Sequence, residues 1–252
     1  MTGQLSLEPW RGLRVRTERT ALRGMPLYRV SVPTPWSERR IKRAGRLMRK
    51  NGVRHMLAPN WFDQWELLAP LGLAPVEAGV LCTALAAPLA LAYLQLHNIP
   101  PEQAEVDLRG SRVTMELERA ARALCPAVRR VTVSAPRGGA ELTRALLREY
   151  GMPELDSRGP DAALYFTPAE CRKKEGELLL CGPKPDLCGL TLRPEGWMLP
   201  DGTESLALLC ALWESGRQDL EKLDAVPADA LDRPEQTTYN TESGIRTHHL
   251  YL

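Results

Sequence analysis

After Pro101 the chain alternates between short β-rich runs and segments of helical periodicity, and few architectures accept that order. Ala104–Leu108, Arg130–Ser134 and Ala162–Phe166 read as strands. Arg112–Leu124 reads as a helix with Val113, Leu117, Ala120, Ala121 and Leu124 on one face, and Ala140–Tyr150 as a second with Leu142, Leu146 and Leu147 inward. Glu177–Leu180 and Leu190–Arg193 read as further strands, and a last helix begins over Thr203–Trp213 and extends towards Leu223. Strand and helix taking turns predicts an α/β fold whose sheet is mostly parallel, with helices on both faces.

The chain ahead of Pro101 is organised differently. Leu13–Glu18 and Leu27–Val32 predict two strands, a hairpin joined by a loop holding Gly24 and Pro26. A basic helix follows, N-capped by Ser37 and closed by Asn51-Gly52. Val53–Leu57 reads as a short strand and Trp61–Leu68 as helical. Residues 78–97, AGVLCTALAAPLALAYLQLH, contain no Asp, Glu, Lys or Arg and approach the ~20 residues of a spanning helix. Their Ala content and central Pro88 point instead to a buried helix kinked at that proline. Asn98-Ile99-Pro100-Pro101 stops it. The expected organisation is a basic α/β lobe over 1–75, a long apolar connecting helix over 76–100, a second lobe over 101–224 and a flexible polar tail over 225–252.

Charge is segregated along this frame. Residues 1–60 hold 14 Lys and Arg against three Asp and Glu, while the rest of the chain is acidic, and the net charge of +2 hides both. The densest stretch is SERRIKRAGRLMRK, residues 37–50, where Ile41, Ala44, Leu47 and Met48 form an apolar face and the basic side chains cover the rest. Arg39, Arg40, Arg43 and Arg46 are the candidate contacts to nucleic acid or an acidic partner; a solvated outer face is the plainer reading. No aromatic residue is interleaved among them, which argues against a single-strand stacking platform.

The six cysteines, Cys82, Cys125, Cys171, Cys181, Cys188 and Cys210, include no C-x-x-C pair, and no metal site is expected. The first residues lack the charged-then-apolar pattern of a signal peptide, so a cytoplasmic setting without membrane contact is expected. G-x-S-x-G, P-loop and H-E-x-x-H signatures are missing from the chain, and neither catalysis nor its absence follows from the sequence.

Five expected strands run into proline: VPTP (32–35), LAPN (57–60), SAP (134–136), FTP (166–168) and CGPKP (181–185). Ligands of open parallel sheets sit beyond the carboxyl ends of the strands, so these turns would share one ligand-facing rim. The unit 104–150 has the order of a nucleotide-binding βαβ. Its first turn carries Gly110-Ser111, and its second strand ends Ser134-Ala135-Pro136-Arg137-Gly138. On these residues the second lobe resembles an NAD(P)-binding Rossmann-like domain, and the two-lobe layout is similar to that of shikimate-dehydrogenase-like proteins. The resemblance implies cofactor contacts at Gly110, Ser111, Ser134, Arg137 and Gly138. Counted from Gly110, the second and third fingerprint glycines fall on Arg112 and Met115. An Arg with no acid at the second strand end suits a 2′-phosphate, making NADP the cofactor to test. The resemblance also implies a Lys–Asp pair in the first lobe, yet Leu57-Ala58-Pro59-Asn60 offers no Lys. The expected function is therefore binding of a phosphorylated small ligand, NADP-like. The alternatives are nucleic-acid or acidic-partner binding through the basic lobe, or a purely structural role.

Overall fold

A computed structural model describes residues 1–8, 14–151, 159–168, 176–200 and 204–230. The first lobe is a five-stranded sheet of β1 (Thr2–Glu8), β2 (Arg16–Leu22), β3 (Met25–Pro33), β4 (His55–Leu57) and β5 (Ala74–Pro75), ordered β2-β3-β1-β4-β5. Only β2 runs antiparallel to its neighbour. The β2–β3 hairpin closes through two residues, Arg23 at φ 48° and Gly24 at φ 80°. Two consecutive left-handed residues match the twist of the flanking strands. Pro26 therefore lies in β3, opposite Ala21, rather than in the loop.

The sequence reading missed β1, which lies between β3 and β4. Its alternation is plain in place: Gly3 and Leu5 share a face with Tyr28, Val30 and Val32, while Gln4, Ser6 and Glu8 share the other with Arg29 and Ser31. Helix α1 (Glu38–Lys50) lays Ile41, Ala44 and Met48 on the apolar face, where all are almost fully buried. The opposite face meets the second lobe through Met25, Leu27 and Leu57, which belong to the larger hydrophobic core. The two lobes thus join through apolar contacts.

The expected long helix is two, α2 (Ala78–Ala84) and α3 (Ala86–Leu96), bent by 78°. The break falls at Leu85, in the turn ahead of Pro88, and is a change of direction rather than a kink. Pro88 sits in the first turn of α3, where its missing N–H forfeits no bond within α3, and its ring cannot accommodate the Ala84 carbonyl at i−4, the residue at which α2 ends. Pro88→Ala is accordingly expected to shift unfolding stability by less than about 1 kcal/mol in urea titration, against the ~3 kcal/mol of a mid-helix proline. Among the described residues no single helix is long and apolar enough to cross a membrane.

The second lobe holds β6 (Glu105–Arg109), α4 (Met115–Leu124), β7 (Arg130–Ser134), α5 (Gly139–Tyr150), β8 (Ala162–Tyr165) and β9 (Glu177–Leu179). Its sheet is ordered β7-β6-β8-β9, and every pairing in it is parallel. Val106, Leu108, Leu164 and Leu178 join α3 and α4 in the larger core. The chain is thus α/β in two lobes, with a parallel sheet in the second. Strand β10 (Leu190–Pro194) stands apart from that sheet and pairs antiparallel with β11 (Leu223–Pro227). Helix α6 (Ser205–Glu214) packs against α2. β11 extends to Pro227 and a short helical turn covers Ala228–Ala230, so residues 225–230 are not the tail expected there; residues 231–252 lie outside the described residues, as does Cys171.

The five proline turns do not share one rim. Three leave the parallel sheet and two leave the first sheet, at the ends of β3 and β4. The rims meet at a point, where the Lys184 ammonium donates to the Asn60 carbonyl at 3.4 Å.

Candidate functional site

The carboxyl half of the parallel sheet carries a polar row that the sequence reading did not single out. Asp107 and Arg109, two residues apart on β6, project to one face, level with Thr132 and Ser134 on β7. The Asp107 carboxylate accepts from Thr132 Oγ1 at 3.0 Å, Ser134 Oγ at 2.9 Å and Arg109 Nε at 2.6 Å. Arg109 Nη1 donates to the Tyr165 hydroxyl, which donates in turn to Glu177 Oε1 at 2.9 Å. Burial opposes the Arg109 charge, but the bonds to Asp107 and Tyr165 outweigh it and push its pKa up. Burial, and then the bond to Glu177, pushes the Tyr165 phenol up as well. The row therefore holds a charged arginine and a neutral tyrosine at neutral pH. Its side chains bond one another, an arrangement that positions strand ends rather than one poised to react. The signal in the sequence was the alternation Asp107-Leu108-Arg109 within a strand.

Just beyond that row the five residues implied by the dinucleotide resemblance come together in two adjoining turns. Gly110 N donates to Ser134 O at 3.1 Å, and Val113 N to Arg137 O at 2.9 Å. Gly138 has φ +84°, and a Cβ there would meet Val113 at 3.3 Å, so glycine is needed both for the backbone and for the close approach. Two of the five are framework. The Gly110 N–H and the Ser134 hydroxyl are already spent within the protein.

The first helix start differs from the expectation too. Helix α4 opens at Met115, not beside Gly110. Thr114 caps it, its Oγ1 accepting from Leu117 N at 3.3 Å. Glu116 and Glu118 occupy its first turn, where their charge already complements the dipole. A pyrophosphate has no vacant N-terminus there. Arg112 and Met115 are both exposed, one pairing with Arg137 and the other facing solvent.

What the turns do present is a pair of cations. Arg112 and Arg137 form an isolated parallel bridge, and paired residues project to the same side. Both are exposed, and neither guanidinium has an ion-pair partner among the described residues. Beside them α5 begins at Gly139 with no side-chain cap, and Ser111 is exposed on the adjoining turn.

Three cavities of about 390–400 Å³ lie elsewhere, one of them an open groove along α5 between Glu141 and Arg148. Another, where α2 and α4 meet the turn after β9, is lined by Glu77, Glu116, Arg119 and Cys181. Its carboxylates outnumber its cations and disfavour an anion. The third lies on the polar face of the first sheet, lined by Gln4, Ser6, Thr20, Arg29, Trp61 and Pro200. It stayed invisible in the sequence because β1 was unseen. Burial pushes the Cys82 and Cys210 thiols up to about 12, so both are neutral and unreactive at ordinary pH. Among the described residues no cluster of three His, Cys, Asp or Glu side chains could hold a metal ion.

Comparison with known protein families found no match, and a search of curated proteins found no similar chain.

Proposed function

We propose that this protein binds a phosphate-bearing small ligand, NADP-like, at the carboxyl ends of β6 and β7, in a cytoplasmic setting. The observation that carries this reading is the Arg112–Arg137 pair. Like charges side by side on adjoining turns repel. A phosphate shared between them removes that repulsion and accepts bidentate hydrogen bonds from both forks. The start of α5 lacks a side-chain cap but has Glu141 in its first turn and the Gly139 N–H already bonded to the Ala135 carbonyl, so the arginine pair and not the helix dipole carries the site. Arg112, Arg137, Ser111 and Gly138 are the contacts, and Gly110 and Ser134 hold the two turns together. Turnover is not part of the proposal, because Asp107, Tyr165 and Glu177 bond to their own neighbours.

The experiment is a thermal-shift and calorimetric series with NADPH, NADH and inorganic pyrophosphate. A ligand at a hundredfold over its dissociation constant adds about 2.7 kcal/mol of stability. NADPH is expected to stabilise more than NADH, and Arg137→Glu and Arg112→Glu are each expected to abolish the difference. Equal indifference to all three compounds would overturn the reading.

A further inference from the structure

We infer that the outer face of α1 binds the phosphate backbone of double-stranded nucleic acid without reading its sequence. Arg39, Arg43, Arg46 and Lys50 follow one another at spacings of four, three and four residues, so they form one stripe along the helix. All four are exposed, and none has an ion-pair partner among the described residues. The one carboxylate in α1, Glu38, lies 3.4 Å from Lys42, off the stripe. Arg40, a candidate from sequence, instead donates to the Pro35 carbonyl at 2.8 Å, and Lys50 takes its place in the set. The stripe spans about 16 Å at 1.5 Å per residue, the length of roughly five phosphates on one strand of a duplex.

The placement of α1 makes the stripe more than a solvated face. Helix α1 covers one side of the first sheet and the acidic second lobe packs against the other, so the sheet separates the basic stripe from that lobe. A lipid surface fits less well. Ile41, Ala44 and Met48, the apolar residues an interfacial helix would insert, are sealed in the core. A single strand fits less well too, because the stripe carries no aromatic side chain on which bases could stack. A rigid array of phosphates at regular intervals is the polyanion that four cations in one straight row match best.

The test is fluorescence anisotropy of a short mixed-sequence DNA duplex titrated with the full chain. Four phosphate contacts predict a slope of log affinity against log salt near −3.6, a loss on the order of 10²-fold between 50 and 200 mM salt. The triple variant Arg39→Glu/Arg43→Glu/Arg46→Glu is expected to weaken binding at least tenfold and to flatten the slope by about three. The milder Arg→Gln triple, checked by circular dichroism, gives the same direction if the first folds poorly. Arg112→Glu/Arg137→Glu is expected to leave duplex binding intact, which separates this surface from the small-ligand site. The inference fails if duplex binding is absent or indifferent to salt, or if the triple variants bind as the parent does. It fails equally if phosphatidylserine vesicles or single-stranded DNA are bound in preference to the duplex.

Discussion

Asp107→Ala is expected to melt about 6–12 °C below the parent protein, at roughly 2–4 °C per kcal/mol for a chain of this size. The carboxylate is 6% exposed and accepts from three side chains on two strands. Its removal leaves the hydroxyls of Thr132 and Ser134 without that acceptor and strips Arg109 of its nearer countercharge, 2.6 Å away. Breaking one side of a buried pair costs about 3–5 kcal/mol. The lower end applies, because the Arg109 side chain is one-third exposed and retains Glu177 at 3.7 Å. Asp107→Asn keeps the shape and one acceptor, and roughly half the loss is expected. Differential scanning calorimetry decides the matter, and a shift within 2 °C for the alanine variant would show that the row carries little stability.

A comparable loss is expected from one added methyl group. A Cβ on Gly79 would lie 2.6 Å from Gly182 N and 2.7 Å from both Cys181 C and Gly182 O. All three are backbone atoms, so no side chain can rotate aside. The substitution also strains the bond from Gly79 N to Gly182 O, 2.9 Å long, which ties α2 to the turn after β9. Overpacking and a weakened hydrogen bond together predict about 3 kcal/mol for Gly79→Ala. Gly45 is the informative control. A Cβ there meets Leu68 Cδ2 at 2.7 Å and Leu71 Cδ1 at 2.8 Å, the flexible ends of side chains. Alanine also suits the middle of α1 better than glycine by about 0.5–1 kcal/mol. Urea titration is expected to show Gly45→Ala losing half as much or less. The reverse order would mean that the Gly79–Gly182 contact relaxes freely.

Local periodicity explains which parts of this fold the sequence disclosed. Arg130–Ser134 was legible to the residue, and α5 to within one residue at its start, because apolar spacing and turn residues agree there. Strand β1 escaped because TGQLSLE offers only Leu5 and Leu7 as an apolar face, and its partners lie far along the chain. The split of the apolar helix escaped for a different reason. Pro88 marks the place, ending α2 at Ala84 four residues ahead of it, but a proline alone does not tell a kink from a 78° turn. At the candidate site the positions were legible and their roles were not. Gly110 and Ser134 looked like ligand contacts, yet a hydrogen bond across two strands is a fact of pairing that one strand cannot show. The Arg112–Arg137 pairing is likewise visible only when the two turns are set side by side.

The continuity of the larger core through Met25, Leu27 and Leu57 bears on how the molecule can move. Halves that meet through a polar interface swing freely, whereas a broad apolar junction resists sliding and opening. Swinging the halves apart here would expose Met25, Leu27 and Leu57 to water. That cost sets the two halves against domain closure, so under the proposed function the Arg112–Arg137 pair would meet its phosphate as an already placed pair of charges.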